Sequence, residues 1–152
     1  MRDLLDMADG RGQVALLGDD GIAAVLRAAR RIAVIGASSN PARPSYGVVR
    51  YLLDAGYDVV PVNPNEAEVH GRRAFASLAE AVAASGSVDL VDVFRRSELC
   101  EVHAREAVAA GARCLWLQLG VVSWEAARIA AEAGLAVVMD RCTAIEHRRL
   151  LR

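Results

Sequence analysis

Ile32-Ala33-Val34-Ile35-Gly36-Ala37-Ser38-Ser39-Asn40-Pro41-Ala42-Arg43-Pro44-Ser45 is the stretch from which the fold is read. Four consecutive apolar residues suit a central parallel strand covered on both faces. Gly36 follows directly, small residues come next, and a helix is predicted from about Ser45, just after Pro44. Val48, Val49, Leu52 and Leu53 form its inner stripe, and Gly56 ends it. Strand, glycine turn and helix in immediate succession open an α/β unit.

The pattern repeats in both directions. Before the first strand, Ile22, Val25, Leu26 and Ala29 recur at helical spacing, with Asp20 as the expected cap. After it, Asp58-Val59-Val60-Pro61-Val62 is a second strand, in which Pro61 must sit where no ladder donor is needed or bend the strand there. Asn63-Pro64-Asn65 closes it as a turn. Ser77 and Glu80 make a capping box for a helix carrying Leu78, Ala81 and Val82. Strands are predicted over 88–94, 114–117 and 136–139, and helices over 98–110 and 123–133 with Gly111 and Gly134 as stops. Residues 140–152 read as a closing loop and a short helix. Strands alternating with helices call for a parallel sheet with right-handed crossovers. The expected fold is α/β: a Rossmann-like, doubly wound, mainly parallel sheet with helices on both faces. Residues 1–21 read as an N-terminal lead-in, turn-like or flexible, since Gly10 to Gly21 holds three glycines and two aspartates beyond Gly10 and before Ile22. Residues 22–152 read as the folded domain.

Composition bounds the function. The 152 residues are 54% hydrophobic and 24% charged, which fits a packed core and not a disordered chain. A net charge of -1 gives no bulk attraction to nucleic acid or an anionic membrane. All 18 basic residues are arginine. The lack of lysine excludes a Walker A lysine, a Schiff base and a pyridoxal phosphate anchor. No apolar run reaches the length of a membrane span, and Met1 to Gly21 lacks the apolar stretch of a signal peptide. Three cysteines, Cys100, Cys114 and Cys142, show no paired metal spacing. A reducing cytoplasm is the expected setting.

In a doubly wound sheet, ligands sit beyond the carboxyl ends of the strands, at the switch point. The loops there begin at Gly36, Asn63, Phe94, Gln118 and Asp140. The first matters most. Gly36, Ala37 and Ser38 let the backbone approach an anion, and the following helix adds free N–H groups and positive potential. The alternative is an ordinary strand-to-helix turn. The loop departs from the dinucleotide fingerprint G-x-G-x-x-G, because Gly36 is the only glycine before Gly47. An acid for a ribose would belong where this chain has Asn63, and Asp58 lies at the opposite end. Both departures weigh against NAD.

Gly36-Ala37-Ser38 with Pro41, Arg43 and Pro44, then Gly56-Tyr57 and Pro61-Val62-Asn63-Pro64, resemble the small stand-alone CoA-binding proteins. So do Val91-Asp92-Val93-Phe94-Arg95, Trp116-Leu117-Gln118-Leu119-Gly120 and Asp140-Arg141-Cys142. Those proteins are similar to the CoA-binding domain of the succinyl-CoA ligase α subunit. The resemblance spans about residues 23–150. It implies that coenzyme A lies across the strand ends. Gly36, Ala37 and Ser38 would hold phosphate with help from Arg43. Asn63 and Pro64 would flank the nucleotide, Phe94 and Arg95 would line the next wall, and Gln118 and Gly120 match the segment near the thiol end. The family often has proline after the arginine at position 95, where this chain has Arg96 and Ser97. The ligase's phosphohistidine belongs to a second domain, and His70, His103 and His147 do not match that site. The resemblance therefore implies binding of CoA or an acyl-CoA without catalysis by this chain.

Two other readings stay open: an NAD(P)-binding enzyme or redox sensor, and a subunit of an acyl-CoA enzyme that acts through a partner. The expected partner is a small molecule, with neither nucleic acid nor membrane; a homo-oligomer or protein partner is left open. Other residues have plainer readings beside the functional ones. Asp92, inside an apolar strand, reads as a carboxylate satisfied by backbone or serine donors before it reads as a base. Cys142 reads as inert before it reads as a partner for a mixed disulfide. Arg72 and Arg73 fall in a loop and read equally as solvated charges or as 3′-phosphate ligands. Trp116 and Trp124 read as packing residues.

Overall fold

The computed structural model describes residues 14–151. Five parallel strands form the central sheet: β1 (Arg31–Ile35), β2 (Asp58–Val62), β5 (Leu90–Val93), β6 (Cys114–Leu117) and β7 (Ala136–Val138). Between β2 and β5 lies a small antiparallel hairpin of β3 (Glu68–Val69) and β4 (Arg72–Arg73). The helices are α1 (Asp19–Ala28), α2 (Pro44–Asp54), α3 (Leu78–Ser85), α4 (Cys100–Ala109), α5 (Trp124–Glu132) and α6 (Thr143–Leu151). A 3₁₀ turn, Ser97–Leu99, leads into α4. The sheet order is β2-β1-β5-β6-β7. The chain reverses direction between β1 and β5, which makes that pair the switch point. This is the Rossmann-like α/β architecture that the alternating pattern predicts.

Side-chain alternation sorts the core into two layers. Ile32, Val34, Leu90, Trp116 and Val138 face one side, where Ile22 and Leu26 of α1 and Val49 and Leu52 of α2 meet them. Ala33, Ile35, Val91, Val93, Leu115 and Leu117 face the other, against Leu78 and Ala81 of α3, Ala104 and Ala107 of α4 and Ala126 and Ala130 of α5. The alanines let α4 and α5 approach the sheet closely. Every residue of β5 and β6 is buried.

Pro61 falls where the sequence requires. Val62 O faces β1 and accepts the Gly36 N–H at 2.8 Å, so the neighbouring Pro61 faces outward on this edge strand. Its carbonyl accepts the Phe75 N–H at 3.0 Å, and Phe75 O accepts the Asn63 N–H at 2.8 Å. Phe75 thus forms a one-residue parallel bridge with Val62 that covers the edge.

Some local expectations are corrected. Gly18, not Asp20, is the N-cap of α1, and Asp19 and Asp20 lie in its first turn, where their charge favours the helix dipole. In the part of the lead-in within the described residues, Val14 is buried and the Leu17 N–H donates to Val137 O at 3.0 Å on the edge of β7, while Ala15, Leu16, Gly18, Asp19 and Asp20 are exposed. Residues 1–13 of the lead-in lie outside the described residues. Arg72 is not in a free loop. It belongs to β4, pairs with Asp58 and donates to Val59 O at 3.2 Å. Arg73 lies over the Phe75 ring, 4.6 Å from its centre. Asp58 also binds Arg31 at 2.8 Å. Arg31, Asp58 and Arg72 stand at the amino ends of β1 and β2. So does a cavity of about 480 Å³ lined by Arg27, Arg30, Tyr57 and Asp58.

Candidate functional site

The switch point is held together by contact between two backbones. Gly36 has φ +86°, a conformation that L side chains rarely adopt. A Cβ on it would stand 2.3 Å from the Phe94 carbonyl oxygen and 3.2 Å from Arg95 Cδ. Only glycine lets the loop after β1 pass this close to the loop after β5. The Phe94 N–H donates to Ile35 O at 2.8 Å, carrying the β1–β5 ladder to the base of both loops.

Beyond Gly36 the loop is tied down by short polar side chains. Ala37 is fully buried, so its methyl anchors the loop in the core. Ser45, buried in the first turn of α2, accepts the Ser38 N–H at 3.1 Å and donates to Gly36 O at 3.3 Å. Ser38 Oγ accepts the Asn40 N–H at 3.0 Å, and Asn40 Oδ1 accepts the Ala42 N–H at 2.9 Å. Asn63 Nδ2 donates to Ala37 O at 2.9 Å, which locks the turn after β2 onto the first loop. Pro64 is exposed beside it. Sequence reading missed both Ser45 and the tie made by Asn63. A serine in the first helical turn after Pro44 was the available signal.

Helix α2 enters the site with Pro44 in its first turn, no side-chain cap and no acid there. By contrast, α3 and α5 carry serine caps, Ser77 and Ser123. Arg43 is the N-cap residue of α2 and is exposed. Arg95 is half-buried at the end of β5. Arg96, next in the chain, pairs with Glu98 at 3.5 Å. The Arg43 and Arg95 guanidiniums have no carboxylate partner among the described residues. Gly36, Ala37, Ser38, Arg43, Asn63, Pro64, Phe94 and Arg95 therefore converge on the carboxyl ends of β1, β2 and β5.

Gln118 and Gly120 occupy the neighbouring strand end in different ways. Gly120, at φ +84°, is exposed, and its N–H donates to Asp140 Oδ1 at 2.6 Å. Asp140 itself is held at φ +60°. The Gln118 side chain points inward. Its Nε2 donates to Asp92 Oδ1 at 2.8 Å, Asp92 Oδ2 at 3.0 Å and Thr143 Oγ1 at 3.0 Å. Thr143 Oγ1 donates to Asp92 Oδ2 at 2.9 Å. Asp92 is wholly buried, and its donors are an amide and a threonine, where backbone or serine was expected. Burial pushes its carboxyl up to about 7, and the hydrogen bonds from Gln118 and Thr143 offset only part of that rise. This triad joins β5, β6 and the start of α6 beneath the site.

The cysteines differ in setting. Cys100 and Cys114 are buried. Desolvation pushes their thiols up to about 11 and about 12 respectively, so both are neutral near pH 7. Cys142 is half-buried beyond β7. Trp116 is buried and donates from Nε1 to Arg141 O at 2.7 Å, a packing role as expected. No cluster of three potential metal ligands occurs among the described residues. No helix among them is long and apolar enough to cross a membrane.

A family model described as a CoA binding domain matches residues 30–148, from the start of β1 into α6. The chain belongs to this family of CoA-binding domains. The family assignment agrees with the resemblance carried by the strand-end motifs. A relative in Bacillus subtilis (strain 168), the uncharacterized protein YneT, is 41% identical over 123 residues, covering 81% of this chain and 89% of YneT. A hypothetical protein from Pyrococcus horikoshii OT3 has a similar structure, with a TM-score of 0.84 and 38% identity over 90% of this chain and 94% of its own. Cell-free ID.343 from Thermus thermophilus is similar too, with a TM-score of 0.81 and 40% identity over 88% and 99% of the two chains.

Proposed function

We propose that this chain binds coenzyme A or an acyl-CoA at the carboxyl ends of β1, β2 and β5, without a catalytic step of its own. The observation that carries this reading is the Gly36–Phe94 backbone contact at the switch point, flanked by two arginines that lack acidic partners among the described residues. CoA presents a diphosphate and a 3′-phosphate. In a chain without lysine these need arginine and backbone N–H donors. Arg43 ends the Gly36 loop, Arg95 Cδ lies beside Gly36, and the uncapped start of α2 adds positive potential. The residues present fit the anionic half of the ligand. Gly120 and the loop before α6 lie along the strand ends, toward β6 and β7, where the pantetheine arm would extend. Gln118 serves that region indirectly, by fixing Asp92 and Thr143. Mass spectrometry of ligand released from freshly purified protein tests the reading. CoA or an acyl-CoA is expected, and a nicotinamide dinucleotide in its place would overturn it.

A further inference from the structure

Glu66 reaches back from the turn after β2 to the first loop. Its Oε2 accepts the Ser39 N–H at 2.5 Å, and its Oε1 accepts the Ser39 hydroxyl at 2.8 Å. One backbone donor and one hydroxyl donor, side by side on a glycine-started loop, are a pair that a phosphate oxygen would take. They are also the outward donors of the loop, because the Ser38 N–H is already turned inward to Ser45. The backbone hydrogen bond from Ser39, with the hydroxyl behind it, holds the Glu66 carboxyl below its ordinary range. At neutral pH the loop therefore already carries an anion, supplied by the chain itself.

The turn is shaped to deliver it. The Glu66 N–H donates to Asn63 O at 3.2 Å, and the Asn65 N–H donates to Asn63 Oδ1 at 2.9 Å. Asn63 in turn grips Ala37 O. One residue thus fixes both the turn and the loop that the turn reaches. No arginine pairs with Glu66 among the described residues, so the carboxylate is not drawn there by a cation. Ser39 makes both of its close hydrogen bonds, with the Ser38 hydroxyl adding to them.

We propose that Glu66 is a built-in competitor for the phosphate loop: its carboxylate occupies the Ser39 donors in the free protein and must swing away before a ligand diphosphate can take them. This rests on reading the loop as a phosphate site, and adds the device that sets its affinity. Two anions cannot share the same two donors. The apparent affinity falls by the fraction of molecules in which Glu66 has let go. A diphosphate, with more charge and more acceptor oxygens than a carboxylate, displaces it. A ligand offering only a neutral group or a single carboxylate does not, so the contact also selects for diphosphates.

The test is calorimetric titration of the parent, E66A and E66Q with CoA and, separately, with inorganic pyrophosphate. The Ser39 amide proton is followed by NMR in each protein. E66A is expected to bind both ligands roughly three- to tenfold tighter, the scale of a partly exposed ionic contact. E66Q should fall between, because a neutral amide oxygen is a weaker acceptor. The Ser39 amide should move upfield in free E66A, yet coincide in CoA-bound parent and E66A. Equal or weaker binding of both ligands by E66A, with CoA still binding the parent, overturns the inference and leaves the CoA reading intact. Tighter pyrophosphate binding by E66A while CoA binds neither protein keeps the inference and sinks the CoA reading.

Discussion

Gly36 lies against Phe94 so closely that an added Cβ would meet the Phe94 carbonyl oxygen at 2.3 Å. The obstacle is backbone, which cannot rotate aside as a side chain can. Gly36 also has φ +86°, so any substitution adds conformational strain to the clash. Gly36→Ala is expected to lower stability by roughly 2–4 kcal/mol, the sum of a strained residue and a displaced loop. Urea unfolding measures this. A loss under about 0.5 kcal/mol, the range of ordinary surface changes, would show that the two loops are not locked together.

Arg43 and Arg95 approach the proposed phosphate region from different elements, the N-cap of α2 and the end of β5. Neither has a carboxylate to leave stranded among the described residues, so truncation should leave the fold intact. Arg43→Ala and Arg95→Ala are each expected to weaken CoA by about 1.5–3 kcal/mol, the scale of a charge-assisted hydrogen bond. Arg128→Ala, on α5 and paired with Glu125, serves as the control and should bind like the parent. Calorimetry with thermal melts checks both points. Unchanged CoA binding by both folded arginine variants would refute the site.

CoA is expected to bind more tightly than NAD or NADP. Glycine appears once between β1 and α2, so the loop lacks the second and third glycines that bring a dinucleotide pyrophosphate close. The acid nearest the end of β2 is Glu66, and its carboxylate is engaged by Ser39. At the strand end itself, where an acid would meet a ribose, stands Asn63. Competitive calorimetry with the three ligands decides this. NAD binding tenfold tighter than CoA, a difference of about 1.4 kcal/mol, would reverse the assignment.

The fold was legible because the alternating layers are written as residue runs. The continuous apolar strands required cover on both faces, and α1 to α6 provide it. The strand-end positions were legible for the same reason: once the strands are placed, Gly36, Asn63 and Phe94 must follow them. What escaped were side chains whose role depends on a distant partner. Glu66 looks like one more turn acid until Ser39 is brought beside it from a position 27 residues away. Arg72 looked available for phosphate until Asp58 was brought across the sheet edge to meet it. Gln118 aligned with the thiol end by position, yet its side chain turns inward, since Asp92 and Thr143 offer it buried partners. Asp20 looked like a cap because aspartate caps helices well, whereas Gly18 adopts the extended entry and leaves both acids in the first turn.

Asp92 gives the stability of the protein an unusual pH dependence. Burial raises its carboxyl from 3.8 to about 7 in the folded chain, and Gln118 and Thr143 recover only part of that cost. Between these two values the folded state keeps a proton that the unfolded chain has released. Stability therefore falls as pH rises from about 4 to about 7 and levels off above, with an upper bound of ~4 kcal/mol from three pKa units. Glu146, Asp89 and Asp19 act with the opposite sign. Their carboxyls are lower in the folded chain, so their contribution is lost as pH falls. Comparing the parent with Asp92→Asn cancels that background. Asparagine cannot ionise, still accepts from Thr143 through Oδ1, and meets the Gln118 oxygen once that amide rotates. Asp92→Asn is expected to match the parent near pH 5 within about 1 kcal/mol, and to exceed it increasingly up to about pH 7, where Asp92 titrates, with the gap levelling off toward pH 8. Urea midpoints of both proteins at pH 5, 6, 7 and 8 give the difference directly. Parallel curves would mean that Asp92 is ionised throughout this range, and that Gln118 and Thr143 alone satisfy a buried charge.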